Sequence, residues 1–254
     1  MKRVVVKVGS AVLTENGAVA LERMQSLVSF LSELKKKYEV ILVSSGAVSA
    51  GYTVLKLDRT VLQNKQALAS LGQPILMNKY AKKFAKYDLL CSQVLVTSAN
   101  LSKKDDIQRV RNTVEVLLSN GVIPIVNEND ATSTDELEVG DNDQLSAYIT
   151  KHLDADLLVI LSDIDAYYDA DPRAHNDARV LKVVHTISED ELNREATPNN
   201  VFATGGIVTK LKAAAYLLES DIDMFLASGF DMSDIKSYMI EGIHKGGTLF
   251  TKVK

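Results

Sequence analysis

V-I-P-I-V-N-E-N-D-A (Val122–Ala131), followed shortly by V-G-D-N-D-Q-L-S-A (Val139–Ala147), decides how this chain folds. A short apolar run leads straight into Asn127, Glu128, Asn129 and Asp130, and Asp141, Asn142 and Asp143 then open a segment with helical period. Polar groups gathered just past a buried strand are badly placed for packing and well placed for a small polar ligand. In open α/β sheets ligands sit outside the carboxyl ends of the strands.

Working outward, β-branched runs read as buried strands at Arg3–Val8, Glu39–Val43, Leu89–Val96, Leu157–Leu161 and Ile222–Ala227, alongside Val122–Val126. Between them, Leu21, Met24, Leu27, Val28, Leu31 and Leu34 recur at spacings of three and four. The same spacing runs through Ile107–Leu118 (ending before Gly121), Leu145–Leu153 and Leu211–Leu218. Strand–helix alternation along the whole chain predicts an α/β fold, a mainly parallel sheet sandwiched by helices. There is no repeat, low-complexity tract or Pro-rich linker, so residues 1–254 are expected to form one domain with two lobes.

At 254 residues the chain can bury a large core without metal or disulfide staples. A formal charge of −4 argues against nucleic-acid binding, so anionic ligands would need a few placed cations. The lone cysteine, Cys91, excludes a disulfide framework and reads as a packing residue in a reducing compartment. The N-terminal apolar run is too short for a signal peptide, and no segment approaches a membrane span. A cytoplasmic protein without membrane association is expected. The four histidines lack metal-ligand spacing. Neither G-x-x-x-x-G-K-[ST] nor G-x-G-x-x-G occurs at the first strand, and no Ser/His/Asp ordering supports an acyl-transfer triad.

The chemistry collects at the strand ends. Lys7 lies inside an apolar strand, either as an edge-strand lysine or as a cation aimed at a partner past the sheet. Gly9 and Ser10 follow in a turn whose N–H groups suit an anion. Ser44, Ser45 and Gly46 end the second strand, as a helix N-cap, a polar-ligand loop or both. Ser162, Asp163 and Asp165 close the fifth, and Asp171-Pro172-Arg173 follows in a turn-like context. Thr204, Gly205 and Gly206 open a helix with Lys210 in its first turns, where a cation opposes the helix dipole unless an anion lies nearby. Two lysines from opposite halves, a Gly-Gly loop and a central carboxylate, Asp143, point to phosphoryl transfer, in which positioning and charge stabilisation dominate.

V-K-V-G-S, S-S-G-A-V-S-A-G, V-N-E-N-D, V-G-D-N-D-Q-L-S-A, L-S-D with D-P-R, T-G-G-I-V-T-K and a closing G-G-T-L-F occur here in this order and spacing. The set resembles the amino acid kinase family over nearly the whole chain, and most closely the members that act on L-glutamate. The resemblance implies a three-layer αβα sandwich around a mainly parallel sheet, with amino acid over the N-terminal lobe and ATP over the C-terminal lobe. It implies ATP-dependent phosphorylation of the side-chain carboxylate of L-glutamate, the first step of proline biosynthesis, with Mg²⁺ riding on the ATP phosphates.

By position, Ser45, Asp130 and Asn142 would bind glutamate, with Asn127 nearby. Lys7 and Lys210 would act on the phosphates, oriented by Asp143. Ser162, Asp163 and the stretch Thr204, Gly205, Gly206, Ile207, Val208, Thr209 and Lys210 would hold the nucleotide. Feedback inhibition by L-proline is also expected, and so is a homo-oligomer of a size the sequence does not give. Ser44 replaces a common threonine, Gln144 a common asparagine, and Ile164-Asp165-Ala166 is atypical of the family. Many relatives continue into a C-terminal PUA domain, which this chain is expected to lack. Acetylglutamate kinase and aspartokinase are sibling alternatives that should not carry this pair of acidic segments. A non-catalytic amino-acid or nucleotide sensor would not need Lys7, Lys210 and Asp143 together.

Overall fold

The computed structural model describes residues 2–132, 142–172, 174–193 and 206–253. Its strands are β1 (Lys2–Val8), β2 (Thr14–Glu15), β3 (Ala18–Val19), β4 (Tyr38–Ser44), β5 (Cys91–Val96), β6 (Ile123–Glu128), β7 (Leu157–Ser162), β8 (Val183–Val184), β9 (Asp223–Ser228) and β10 (Thr248–Phe250). The main sheet runs in the order β5-β6-β4-β1-β7-β9-β10-β8, and β2 and β3 form a separate hairpin. Pairing in the main sheet is parallel except between β9 and β10. All six strands expected from the sequence are present, with ends differing by one or two residues. The short β8 and β10 extend the sheet beyond them.

The helices are α1 (Ser10–Leu13), α2 (Leu21–Leu34), α3 (Ala47–Tyr52), α4 (Leu62–Phe84), α5 (Ser98–Ser102), α6 (Lys104–Ser119), α7 (Asn142–His152), α8 (Glu189–Leu192), α9 (Gly206–Leu218) and α10 (Ser233–Lys236). They cover the sheet on both faces, with a separate core under each. On one face Val4, Val6 and Val8 pack with Leu27 and Leu31 of α2 and Leu76, Tyr80 and Phe84 of α4. On the other, Val5 packs with Leu145 and Ile149 of α7 and Leu211, Ala214 and Leu217 of α9. This is the three-layer αβα sandwich. Because side chains alternate along a strand, Lys7 falls on the Val5 face, under α7 and α9. Strand β1 lies between β4 and β7, so Lys7 is not an edge-strand lysine. Among the described residues no helix is long and apolar enough to cross a membrane.

Parallel pairing brings the carboxyl ends of β1, β4, β6 and β7 to one edge of the sheet. At that edge Gly46 adopts φ +107°, a conformation that L side chains rarely take, and turns the chain from β4 into α3. Helices α3 and α4 then meet backbone to backbone. A Cβ on Gly51 would lie 2.0 Å from the Leu68 carbonyl oxygen, and one on Gly72 would lie 1.8 Å from that of Ala47. The α3–α4 contact therefore sets how closely α4 approaches the β4 loop. Gly72→Ala should destabilise the fold by at least about 1–3 kcal/mol, the usual cost of overpacking, because the obstacle is backbone. Urea unfolding measures this, and a variant as stable as the parent would refute the contact.

Candidate active site

Asp143, in the first turn of α7, is fully buried. Its Oδ1 lies 2.5 Å from the Lys7 ammonium of β1, and its Oδ2 lies 3.0 Å from that of Lys210 in α9. Thr209 adds a hydroxyl donated to Oδ2 at 2.9 Å, and Lys210 also donates to the Gly206 carbonyl at 2.7 Å. Burial pushes the Asp143 carboxyl up, but the charges of Lys7 and Lys210 outweigh it and hold the group down at about 2. The carboxylate is thus ionised at neutral pH between two buried cations. Lys210, a cation out of place at a helix N-terminus by sequence, finds its anion in Asp143.

Asn142, one residue earlier, faces the other half of the edge. Its Nδ2 donates to Ser45 Oγ at 2.6 Å, to Asn127 Oδ1 at 3.2 Å and to the Ser44 carbonyl at 3.4 Å. Ser44 is fully buried, its hydroxyl 2.8 Å from that of Tyr80. Asp130, two residues past β6, lines a cavity of about 210 Å³ with Ser70, Gln73, Pro74 and Gln93. Burial raises its carboxyl above the ordinary carboxylate value. A charge held there at a desolvation cost suits a ligand ammonium group.

The structure joins Lys7, Asp143, Thr209 and Lys210 in one cluster and Ser45, Asn127 and Asn142 in another. The two clusters meet at the start of α7, with Asp130 in the cavity beside the second. Ser162 ends β7, its hydroxyl donating to Asp163 Oδ1 at 2.9 Å. Ile164, after them, comes against Gly206: a Cβ there would meet its Cδ1 at 3.5 Å. The loop after β7 thus meets the start of α9, where Ile207 is buried and Val208 half-buried. Thr204, Gly205, Asp141, Arg173 and most of the Thr132–Glu138 loop lie outside the described residues.

Three expectations need amending. The Gly9 N–H is not available to an anion, because it donates to the Leu161 carbonyl at 3.1 Å and ties β1 to β7. No Ser44 or Ser45 side chain caps α3, whose N-cap is Gly46. Cys91 begins β5, where the sequence placed it inside a strand starting at Leu89, and it is half-buried rather than packed away, with its thiol pushed up to about 11 by burial. Among the described residues, no three His, Cys, Asp or Glu side chains gather as a metal site. The Asp143 oxygens, already engaged by two ammonium groups, do not suit a dication. Sequence reasoning missed Gln73 and Tyr80. Their one signal was polar chemistry at the spacing of Ala69, Leu76 and Phe84, the buried face of α4.

Residues 2–228 match the model of the amino acid kinase family. The chain is 52% identical to the glutamate 5-kinase of Leishmania donovani, over 98% of this chain and 95% of that protein. It is 50% identical to the glutamate 5-kinase of Wolinella succinogenes, over 99% and 98%. Among solved structures, an isopentenyl phosphate kinase superposes with a TM-score of 0.69 at 16% identity, covering 98% of this chain and 100% of that one. The UMP kinase of Ureaplasma parvum superposes with a TM-score of 0.64 at 15% identity, covering 99% of each. At those identities the structures speak to the fold, which is the one built above from the strand order and the two cores. This chain belongs to the amino acid kinase family.

Proposed function

We propose that this protein is a glutamate 5-kinase, transferring the γ-phosphoryl group of ATP to the side-chain carboxylate of L-glutamate in the first step of proline biosynthesis. The observation that carries the proposal is the Lys7–Asp143–Lys210 cluster set against the Ser45–Asn127–Asn142 cluster. Phosphate chemistry and amino-acid chemistry meet there at one helix start. Relatives about half identical over nearly their whole length support the substrate.

In the step itself, a glutamate carboxylate oxygen bonds to the γ-phosphorus as the bond to the β,γ-bridging oxygen breaks. L-Glutamyl 5-phosphate and ADP result. The nucleophile is already ionised at neutral pH, so no general base is required, and Asp143, held near pKa 2, would be a poor one. Its work is to orient Lys7 and Lys210 toward the charge that develops on the phosphoryl oxygens. Ser45, Asn127, Asp130 and Asn142 hold the amino acid over the N-terminal half of a single domain. Ser162, Asp163 and residues 204–210 hold ATP over the C-terminal half, and Mg²⁺ arrives on the ATP phosphates. The expected setting is the cytoplasm, as a homo-oligomer.

Supplied with ATP, Mg²⁺ and L-glutamate, the protein should release ADP, and hydroxylamine should trap a glutamyl hydroxamate, because an acyl phosphate is open to strong nucleophiles. ADP release without hydroxamate, or a preference for N-acetylglutamate or aspartate, would sink the proposal.

Lys7→Ala, Lys210→Ala and Asp143→Asn should each lower kcat about a hundred- to a thousand-fold, roughly 3–4 kcal/mol, with smaller changes in KM for glutamate. Asp130→Ala should do the reverse, raising that KM with kcat largely kept. Steady-state kinetics on the four variants would expose a wrong assignment of the two clusters as swapped signatures.

L-Proline shares an α-carboxylate and a charged α-nitrogen with glutamate, so it should inhibit by occupying the Ser45, Asp130 and Asn142 groups. Substitutions in the Thr132–Glu138 loop should alter proline sensitivity more than ATP affinity. Proline titrations at several fixed glutamate concentrations should give inhibition that weakens as glutamate rises. An inhibition constant independent of glutamate would refute the shared site.

A further inference from the structure

A row of side-chain amides leads away from the amino-acid cluster. Asn127 Oδ1 accepts from the Glu128 backbone N–H at 2.9 Å and from Asn142 Nδ2 at 3.2 Å. Asn127 Nδ2 donates to Gln73 Oε1 at 3.0 Å, and Gln73 Nε2 donates to Gln93 Oε1 at 3.0 Å. Asn127 and Gln73 are buried, and Gln93, at the far end, is exposed. The Glu128 N–H is a backbone donor and cannot reverse, so it fixes the direction of the whole row. Turning the Asn127 amide over would set its NH₂ against that N–H. Asn142, for its part, commits Nδ2 to Ser45, Ser44 and Asn127, so among the described residues Oδ1 is the atom it has left for a ligand.

Resting on the glutamate reading above, we propose that Gln73 is a positioning residue that sets substrate specificity. Through Asn127 it fixes the amide of Asn142 so that the site presents an acceptor, and so selects substrates that carry an α-ammonium group. Gln73 lines the same cavity as Asp130, the carboxylate assigned to that ammonium. The mechanism is hydrogen-bond satisfaction. With no acceptor at position 73, the buried Asn127 NH₂ is left unpaired, and a swing of the side chain toward another acceptor draws Oδ1 away from Asn142 without reversing the amide. Asn142 then keeps only Ser45 and the longer contact to the Ser44 carbonyl, so its amide is held less firmly with the acceptor toward the site, and the preference for an ammonium falls. Gln73 itself need not touch the substrate.

Titration calorimetry with L-glutamate and with glutarate tests this, because glutarate is the same five-carbon dicarboxylate without the amino group. Gln73→Met, close in volume but unable to pair with the amide, should weaken glutamate binding about tenfold, as expected when a buried amide loses its partner. Glutarate affinity and the KM for ATP should stay within about twofold of the parent values. In a double-mutant cycle, adding Gln73→Met to Asn127→Ala should cause no further loss, since one acts through the other. Gln73→Glu keeps the acceptor, and the exposed Gln93 amide can rotate to donate to it, so glutamate affinity should remain within about threefold. Should Gln73→Met not fold, Gln73→Lys, which can only donate, carries the same expectation as Gln73→Met.

Equal weakening of glutamate and glutarate would mark a merely structural role and overturn the proposal, as would additive losses in the cycle or unchanged glutamate affinity. Failure of the kinase reading would look different. The parent protein would then bind glutamate with the selectivity described yet release no ADP.

Discussion

One buried carboxylate holding two ammonium groups is the constraint on which the rest of the site depends. Asp143 gives one oxygen to Lys7 and the other to Lys210, and all three side chains are almost completely removed from solvent. Two cations drawn together inside a protein would repel and lose hydration. The shared carboxylate offsets both effects and leaves the cluster one positive charge in excess. Removing one partner from such a buried group costs about 3–5 kcal/mol, because the remaining charge is left uncompensated. The cluster therefore ties β1, α7 and α9 together, and its excess positive charge is what the proposed function would use to seat an anion. A chain of net charge −4 needs such local charge to receive a polyanionic nucleotide, since its overall field does not help.

Topology explains why α7 carries that carboxylate. From β1 the chain builds outward on one side of the sheet, through β4 to β5 and back to β6, and then crosses β1 to begin the other side at β7. Helix α7 lies in that crossing and packs against β1, β4, β6 and β7. Its first two residues are neighbours in sequence but point about 100° apart around the helix axis. Asn142 reaches the ends of β4 and β6, while Asp143 reaches β1 and α9. A reversal of strand order is where open α/β sheets leave a crevice, and here a single helix start serves both walls of it.

The sheet and both site clusters were legible because their signals are local. β-Branched runs mark the strands, and the polar residues past Val126 have no place in a core. Lys7 stands out for the same reason, a charge in an apolar strand, and the alternation of side chains sends it to the α7–α9 face. What the sequence concealed was conditional on tertiary contact. Helix α4 contains Gly72, Gln73 and Pro74 in succession, which read locally as breakers and solvent-facing polarity. Only the approach of α3 shows why position 72 has no room for a side chain, and only Asn127 shows why a glutamine is buried beside it. The two or three residues of β8 and β10 are too few to display any period. The Gly9 N–H illustrates the converse error. A turn glycine after a strand resembles an anion nest, but here its donor serves the neighbouring strand.

Lysine, not arginine, fits position 210 for a reason visible in its bonds. An ammonium group has three N–H donors spread as a tripod. Lys210 directs one to Asp143 and one to the Gly206 carbonyl, which closes the first turn of α9 over the side chain. Among the described residues the third has no acceptor, and under the proposed function it is the donor for a phosphoryl oxygen, a bond made without disturbing the other two. A guanidinium carries more donors but holds them in one rigid plane, so it could not satisfy a carboxylate, a helix carbonyl and a phosphate lying in different directions. Thr209 complements this geometry: its single hydroxyl proton reaches the same Asp143 oxygen, fixing α9 in rotation as well as in distance. One carboxylate, two ammonium groups and a hydroxyl thus form a cluster of fixed geometry, each held by the fold it helps to hold, which is the preorganisation the proposed phosphoryl transfer would use.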